Sequence, residues 1–435
     1  MADERRTVIT GMSVISPLGS TPESLWDGLS NGRSGVGPLS LGTDGQLPVP
    51  FGAQAQQFTG AIDDFGPLEK DQKKAIRKAL KMMCRECQMG VAASLLALNH
   101  AGLKPGDADP ERSGISFGTD YMLSVPEDFS EGMIQCRDEQ GRFQFPHWGR
   151  EGLSKMEPLW LLKYLPNMPA SHLAIYTDFR GPNNSLTMRE AAANEALGEA
   201  CQIIRRGSAD VMIVGATGTR LHPMKIGHAA SQEEVARGDG DPATFCRPFD
   251  RDRRGMVLGE GAGAIVVEEL STAKARGATI YGEVVGAANS CVADRHLLAR
   301  RDRALQNAME AALHHAGARA DEIGHVHAHG LSTRSCDVDE SRAIRAVFGS
   351  RSVPVVAAKG HLGNLGAAGG MVELVASLLS LQQGRLFPVL NYTTPDAECP
   401  VAVVTDGGVA AGDSFVNLSV TPQGQAAAVM VRRCG

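Results

Sequence analysis

One order of elements occurs twice along this chain, and that duplication restricts the available folds more than any single motif does. ASLLALNHAGL (93–103) leads through an acidic linker to SGISFGT (113–119), and AMEAALHHAGA (308–318) leads through a second acidic linker to GHVHAHG (324–330). Each copy reads as a helix, a His-Ala-Gly stop and a strand. A further helix runs to Arg206-Gly207 in the first copy, and its match after 359 runs through ASLLSLQQG to Gly384. Two α/β units of the same order predict a duplicated core with sheets covered by helices. We divide the chain into halves 1–270 and 271–435. The first half carries an insertion at about 120–170 with no clear period, expected to fold over something or to pair with a partner. The 435 residues, 43% of them hydrophobic, are enough for a large core.

Composition narrows the classes. Net charge is −6 with both signs interspersed, which argues against broad nucleic-acid binding. No apolar run reaches about 18 residues, so no spanning helix is expected. The opening MADERRTVITGMSVIS reads as charges followed by a strand over 6–16, not as a signal peptide. The nine scattered cysteines read as thiols of a reducing cytoplasm, and Cys84/Cys87 lack the second pair of a zinc site. Residues 20–31 are expected to be a short helix, 33–66 loop, and 68–102 helical with a very basic start. The Gly259/Gly261/Gly263 spacing lacks the strand-before, helix-after setting of a dinucleotide fingerprint.

Candidate chemistry gathers at equivalent points of the two halves. GPNNSLTMREAAANEALGEACQIIRRG predicts a polar turn, then a helix from about Met188, followed by a buried strand, ADVMIVGATG. Glu190 stands at the helix start, where free N–H groups and the dipole favour an anion; it could equally be an inert first-turn acid. The matching point in the second half is the GHLGNLGAAGG loop (360–370) with Asn364. The duplication predicts that the two points face each other across a pseudo-twofold axis, with His329 near. His325, His327 and His329 alternate, but no familiar spacing completes a metal set, so no metal site is expected. His325 and His327 read as packed, hydrogen-bonded histidines; His329, before Gly330, can enter a cleft. Glu340 and Lys359 are expected either as a buried ion pair or as solvated charges.

At this point the chain resembles a β-ketoacyl-acyl-carrier-protein synthase of the elongating type, nearly end to end. The resemblance is carried by VITGMSVISPLG, YLPNMPASHLAI with RGPNNS, FDRDRRGMVLGEGAGAIVVEEL, AHGLSTRSCDVDE and KGHLGNLGAAGG. It implies an α/β thiolase-like fold of two related halves in five alternating αβαβα layers, usually dimeric. It implies no bound cofactor, the substrate being carried on the phosphopantetheine of an acyl carrier protein, and a dimer with itself or with a ketosynthase. His329 matches the family's first catalytic histidine, Lys359 its lysine and Glu340 the acid nearby. Thr333 matches one of two threonines that contact the pantetheine arm.

The departures are specific. Glu190 stands where the family has the cysteine that takes the acyl chain, and Asn364 stands where it has the second histidine. Leu331 replaces the other threonine. The gating Gly-Phe-Gly-Gly loop corresponds to Leu418–Gln423, which includes Ser419. Acyl loading needs a thiolate, whereas a carboxylate is a weaker nucleophile whose anhydride would hydrolyse. Decarboxylation of a malonyl thioester needs only donors on the enolate oxygen, which His329 and Asn364 could supply. This favours malonyl-carrier-protein decarboxylation, with Lys359 and Glu340 setting the field. One alternative is a non-catalytic partner of an active synthase, resembling a chain-length factor, with Glu190 paired to His329. The other is a Glu190-dependent condensation without an acyl-enzyme.

Overall fold

The computed structural model describes residues 5–39, 47–104 and 106–434. The first four residues ahead of the expected opening strand, part of the 33–66 loop and part of the first acidic linker therefore lie outside the described residues. The fully buried run TVITGMSVI forms β1 (Thr7–Ile15). A small ribbon, β2 (Val36–Pro38) with β3 (Phe51–Ala53), interrupts the stretch expected as loop. The other strands of the first half are β4 (Ser113–Thr119), β5 (Asn183–Thr187), β6 (Val211–Thr219) and β7 (Glu260–Glu269). The second half supplies β8 (Gly282–Cys291), β9 (His325–His327), β10 (Pro354–Val356), β11 (Ala402–Val403), β12 (Ser414–Val420) and β13 (Gln425–Arg432).

Among the described residues, all but β2 and β3 form one sheet in the order β11-β10-β9-β12-β13-β8-β1-β7-β6-β4-β5. The two sides of its centre have the same plan. In the first half β4 is parallel to β5 and β6, and β7 is antiparallel to β6 and β1. In the second half β9 is parallel to β10 and β12, and β13 is antiparallel to β12 and β8. β1 and β8, the first strand of each unit, meet over three residue pairs, Thr7–Ile9 against Gly282–Val284.

The helices complete the layers. The Ala192–Arg205 and Gly369–Gln383 helices lie between the two halves and touch strands of both. The second of these is buried from Gly369 to Leu381, as its near-continuous apolar sequence requires. On one outer face the Arg85–His100 helix packs on β1, β6 and β7; on the other the Arg301–Ala316 helix packs on β8 and β13. The duplication extends to single atoms. A Cβ on Gly11 of β1 would sit 2.5 Å from the Ala97 carbonyl oxygen, and one on Gly286 of β8 would sit 2.1 Å from that of Ala312. Each outer helix lies on its sheet at a place where only glycine fits. The fold is the expected five-layered α/β thiolase-like one.

Two boundaries differ from expectation. Asn183–Thr187, read as a polar turn, is an edge strand parallel to β4, and the α-helix starts at Ala192 after a 3₁₀ turn, Arg189–Ala191. A strand covered on one side only keeps polar residues, so the apolar-alternation signal is missing. The 68–102 helix is broken: Lys70–Ala79 and Arg85–His100 are separate, with Met83 extended between them. The break lets Arg85 reach Glu260 at 2.7 Å. The insertion folds as one helix, Glu127–Gln135, and a series of short turns. It leaves Ile134, Phe145, Leu159 and Leu161 exposed. No helix of the described chain is long and apolar enough to cross a membrane.

Candidate active site

Glu190 enters the interior on the 3₁₀ turn that precedes the Ala192–Arg205 helix, and is 2% exposed. Its Oε1 accepts from Arg220 Nη1 at 2.7 Å and from Asn364 Nδ2 at 3.2 Å. Its Oε2 lies 3.4 Å from Arg189 Nε. Both guanidinium groups also bond Glu233, which closes a ring of two acids and two bases. Burial by itself would raise the Glu190 carboxyl, but Arg220 and then Arg189 outweigh it and bring it down to about 2. The carboxylate is therefore an anion across the physiological range, a weak base and a poor proton donor. No bond joins it to His329; its partners are the arginines and Asn364.

His329 follows β9 and is buried. Glu340, on the Arg334–Phe348 helix, holds the turn by accepting from the backbone N–H of His329 at 2.6 Å and of Gly330 at 2.8 Å. Burial pushes the Glu340 carboxyl up to about 8, against the pull of the Gly330 N–H. Lys359 does not pair with Glu340. Its ammonium bonds Glu373, the His329 carbonyl at 2.8 Å and His329 Nδ1 at 3.2 Å. The expected Glu340–Lys359 ion pair is thus corrected to Lys359–Glu373: the backbone N–H groups satisfy Glu340, and the Gly369–Gln383 helix brings Glu373 to the ammonium. Burial, then Lys359, holds the His329 imidazole well below its usual value, so it is neutral. With Nδ1 facing an ammonium, the network assigns the ring proton to Nε2, and Nε2 is buried with no hydrogen-bond partner.

Asn364 is fixed on every side. Its N–H donates to Val257 O at 2.7 Å, its carbonyl accepts from Gly259 N at 2.9 Å, and its Oδ1 accepts from Gly366 N at 3.0 Å. Its amide nitrogen is committed to Glu190, with Met256 Sδ at 3.4 Å. The facing of Glu190 and Asn364, expected from the duplication, is therefore a direct contact. The amide is not a free donor for a substrate oxygen, because the resident carboxylate has it.

Thr333 and Leu331 line a cavity of about 130 Å³ together with Met256, Glu233 and Val420. Thr333 also caps the Arg334–Phe348 helix, its Oγ1 accepting from Cys336 N at 3.3 Å. Ser419 lies elsewhere. It is an interior residue of β12, fully buried, and accepts from Asn194 Nδ2 at 2.9 Å, while Asn194 Oδ1 accepts from Asn417 at 2.9 Å. The stretch read as a rebuilt loop is strand to Val420 and a tight turn into β13, so Ser419 has no open cleft to line. His325 bonds Ala411 O at 2.8 Å and Ser377 Oγ at 3.1 Å, and His327 bonds the same hydroxyl at 2.7 Å; both are packed core histidines. Among the described residues no cluster of three or more His, Cys, Asp or Glu side chains is arranged to hold a metal.

Arg220, Glu233 and Glu373 escaped the sequence reading, although two carry a signal. Glu373 is the one acid within MVELVASLLSL, and Arg220 directly follows a buried strand; a charge in either setting requires a partner. No cysteine lies beside Glu190 in sequence. Cys201, on the helix that follows the Glu190 turn, is buried and pushed up to about 12 by desolvation. Desolvation also pushes Cys84 and Cys246 up to about 12.

Comparison with known proteins gives the family. Residues 4–273 match the family model described as "Beta-ketoacyl synthase, N-terminal domain", and 281–393 match the corresponding C-terminal domain. The chain is 33% identical over 408 residues to a 3-oxoacyl-[acyl-carrier-protein] synthase 2 of Synechocystis sp., covering 92% of this chain and 91% of that protein. Among solved structures it is similar to the ishigamide ketosynthase/chain length factor, with TM-score 0.84, 26% identity and full coverage of both chains. It is also similar to a type II PKS acyl-carrier protein complex with its ketosynthase bound to the hexaketide, with TM-score 0.83, 25% identity and full coverage of both.

Proposed function

The chain belongs to the β-ketoacyl synthase family, and from that premise we propose that it serves carrier-protein-dependent fatty-acid or polyketide synthesis as a non-catalytic, chain-length-factor-like partner of a cysteine-containing ketosynthase. The observation that carries this reading is the Glu190 carboxylate, clamped by Arg220 and Arg189 in the place of the nucleophile and holding the Asn364 donor. It opposes each catalytic alternative. A carboxyl drawn down to about 2 is too weak a base for a condensation that depends on it. The Asn364 amide that an enolate oxygen would need as a donor is already held by the Glu190 carboxylate.

The surface supports a partner. β5 is the outer strand of the sheet, and its Ser185 N–H donates only to the side chain of Asn184, at 2.9 Å. Beside it in sequence, the insertion exposes apolar side chains, among them Ile134 and Phe145. An open strand edge with an apolar neighbour suits strand pairing with a related subunit. The Lys70–Ala79 helix exposes Lys70, Lys74, Arg77 and Lys78, a basic face suited to an acidic partner surface.

The test is to co-express the chain with a cysteine-containing ketosynthase and weigh the product by native mass spectrometry. A one-to-one heterodimer is expected, with labelled acyl groups from acyl-carrier protein on the partner alone. A homodimer that loads acyl groups by itself would overturn the proposal. A second reading, malonyl-carrier-protein decarboxylation, is favoured by the buried, unpartnered His329 Nε2. It requires carbon dioxide release by the isolated chain, lost in His329→Ala.

A further inference from the structure

We infer that Arg220 and Arg189, with the Asn364 amide, constitute a carboxylate-binding site whose resident ligand is the chain's own Glu190 side chain, and that Arg220 is its principal positioning residue. The charges on the page point there. Two guanidinium groups meet two carboxylates, Glu190 and Glu233, and both guanidinium groups bond Glu233 as well as contacting Glu190. Arg220 is 6% exposed, so neither water nor salt neutralises it readily. Without the Glu190 carboxylate, both guanidinium groups would keep Glu233, and Arg220 Nη1 and Asn364 Nδ2 would be left as two donors directed at a vacated oxygen position.

The backbone gives a second, independent observation. Arg189 adopts φ +50°, the left-handed region, which a non-glycine residue rarely occupies. That conformation places its guanidinium between Glu190 and Glu233. The turn is thus held in a disfavoured geometry by the same ion pairs that hold the carboxylate. Arg220, for its part, is anchored by its backbone N–H to Gly259 O at 2.9 Å, on the segment that Asn364 also bonds. The pocket accordingly has a cation on each of two elements and an amide on a third, the arrangement expected of a site for a small monocarboxylate rather than of an incidental surface pair.

This inference concerns the same pocket as the proposed function, but its test reads ligand binding alone, so either can fail without the other. Glu190→Ala is titrated with sodium acetate, with sodium chloride at equal ionic strength as the control. Acetate should raise the melting temperature of Glu190→Ala and bind it at least about tenfold tighter than it binds the wild type. The double variant Glu190→Ala/Arg220→Met should not respond. An acetate response equal in wild type and Glu190→Ala, or undiminished in the double variant, would overturn the site. Should Glu190→Ala fail to fold, Arg220→Met and Arg220→Lys answer the same question through the ¹³C signal of the Glu190 carboxyl. The charged or titratable groups around it are Arg220, Arg189, Glu233, His329 and Asp120. Arg220→Met should move the titration to higher pH and Arg220→Lys should restore most of it. No movement in Arg220→Met would refute the assignment.

Discussion

Replacing Glu190 by Gln keeps the shape of the side chain and removes only its charge. A carboxyl that titrates at about 2 in the folded chain, against 4.5 in its ordinary state, is stabilised as an anion by folding by about 3 kcal/mol. The sign follows from the direction of the shift. The folded value is depressed, so this stability is fully present above about 4.5 and is lost as pH falls toward 2. Glu190→Gln should therefore cost about 3 kcal/mol at pH 7, and the gap from wild type should narrow to about 2 kcal/mol at pH 3.5. For a chain of this length that corresponds to a melting-temperature loss of only roughly 3 °C, so urea unfolding at several pH values is the better assay. The same cost at pH 7 and pH 3.5 would refute the argument that the arginines hold Glu190 ionised. So would a Gln variant as stable as the wild type at pH 7.

Other expectations follow from named contacts. Lys359→Met leaves Glu373 buried without its cation and should cost about 3–5 kcal/mol, measurable by denaturant unfolding; the double variant Lys359→Met/Glu373→Leu should recover most of that loss. Asn194→Ala breaks the interior bonds to Ser419 and Asn417 and should cost about 1–3 kcal/mol, while the surface substitution Lys74→Ala should stay within about 0.5 kcal/mol in the same assay. Ser185→Pro removes an N–H that is outside the β4 ladder, so circular dichroism should show an intact fold while native mass spectrometry shows loss of the dimer with the partner. Glu340→Gln puts an amide donor against the N–H groups of His329 and Gly330; about 1–3 kcal/mol should be lost, read from the same unfolding curves.

Much of the fold was legible because burial writes itself into sequence. TVITGMSVI, SGISFGT and VMIVGATGT are uninterrupted in burial or nearly so, and they are β1, β4 and β6. The duplication was legible from two short helix-to-strand matches, and the mirrored pairing of β4–β7 and β9–β13 gives it a structural basis. NNSLT was not legible as a strand, because one side of it has no covering strand in the chain and its composition is polar. The pairing of Lys359 was not legible either. Glu340 and Glu373 are both buried acids within reach in chain order, and only the tertiary path of the Gly369–Gln383 helix selects between them.

Residue type and order alone established that an acid, Glu190, stands near a helix start in the first half and an amide, Asn364, at the matching point of the second. Whether that acid would be a base, a proton donor or a fixed anion could not be read from the chain. The answer depends on Arg220, 30 residues away and brought in by the end of β6, because burial and counter-charge act on a carboxyl in opposite directions. Only their relative distances, which the tertiary structure sets, decide which of the two prevails.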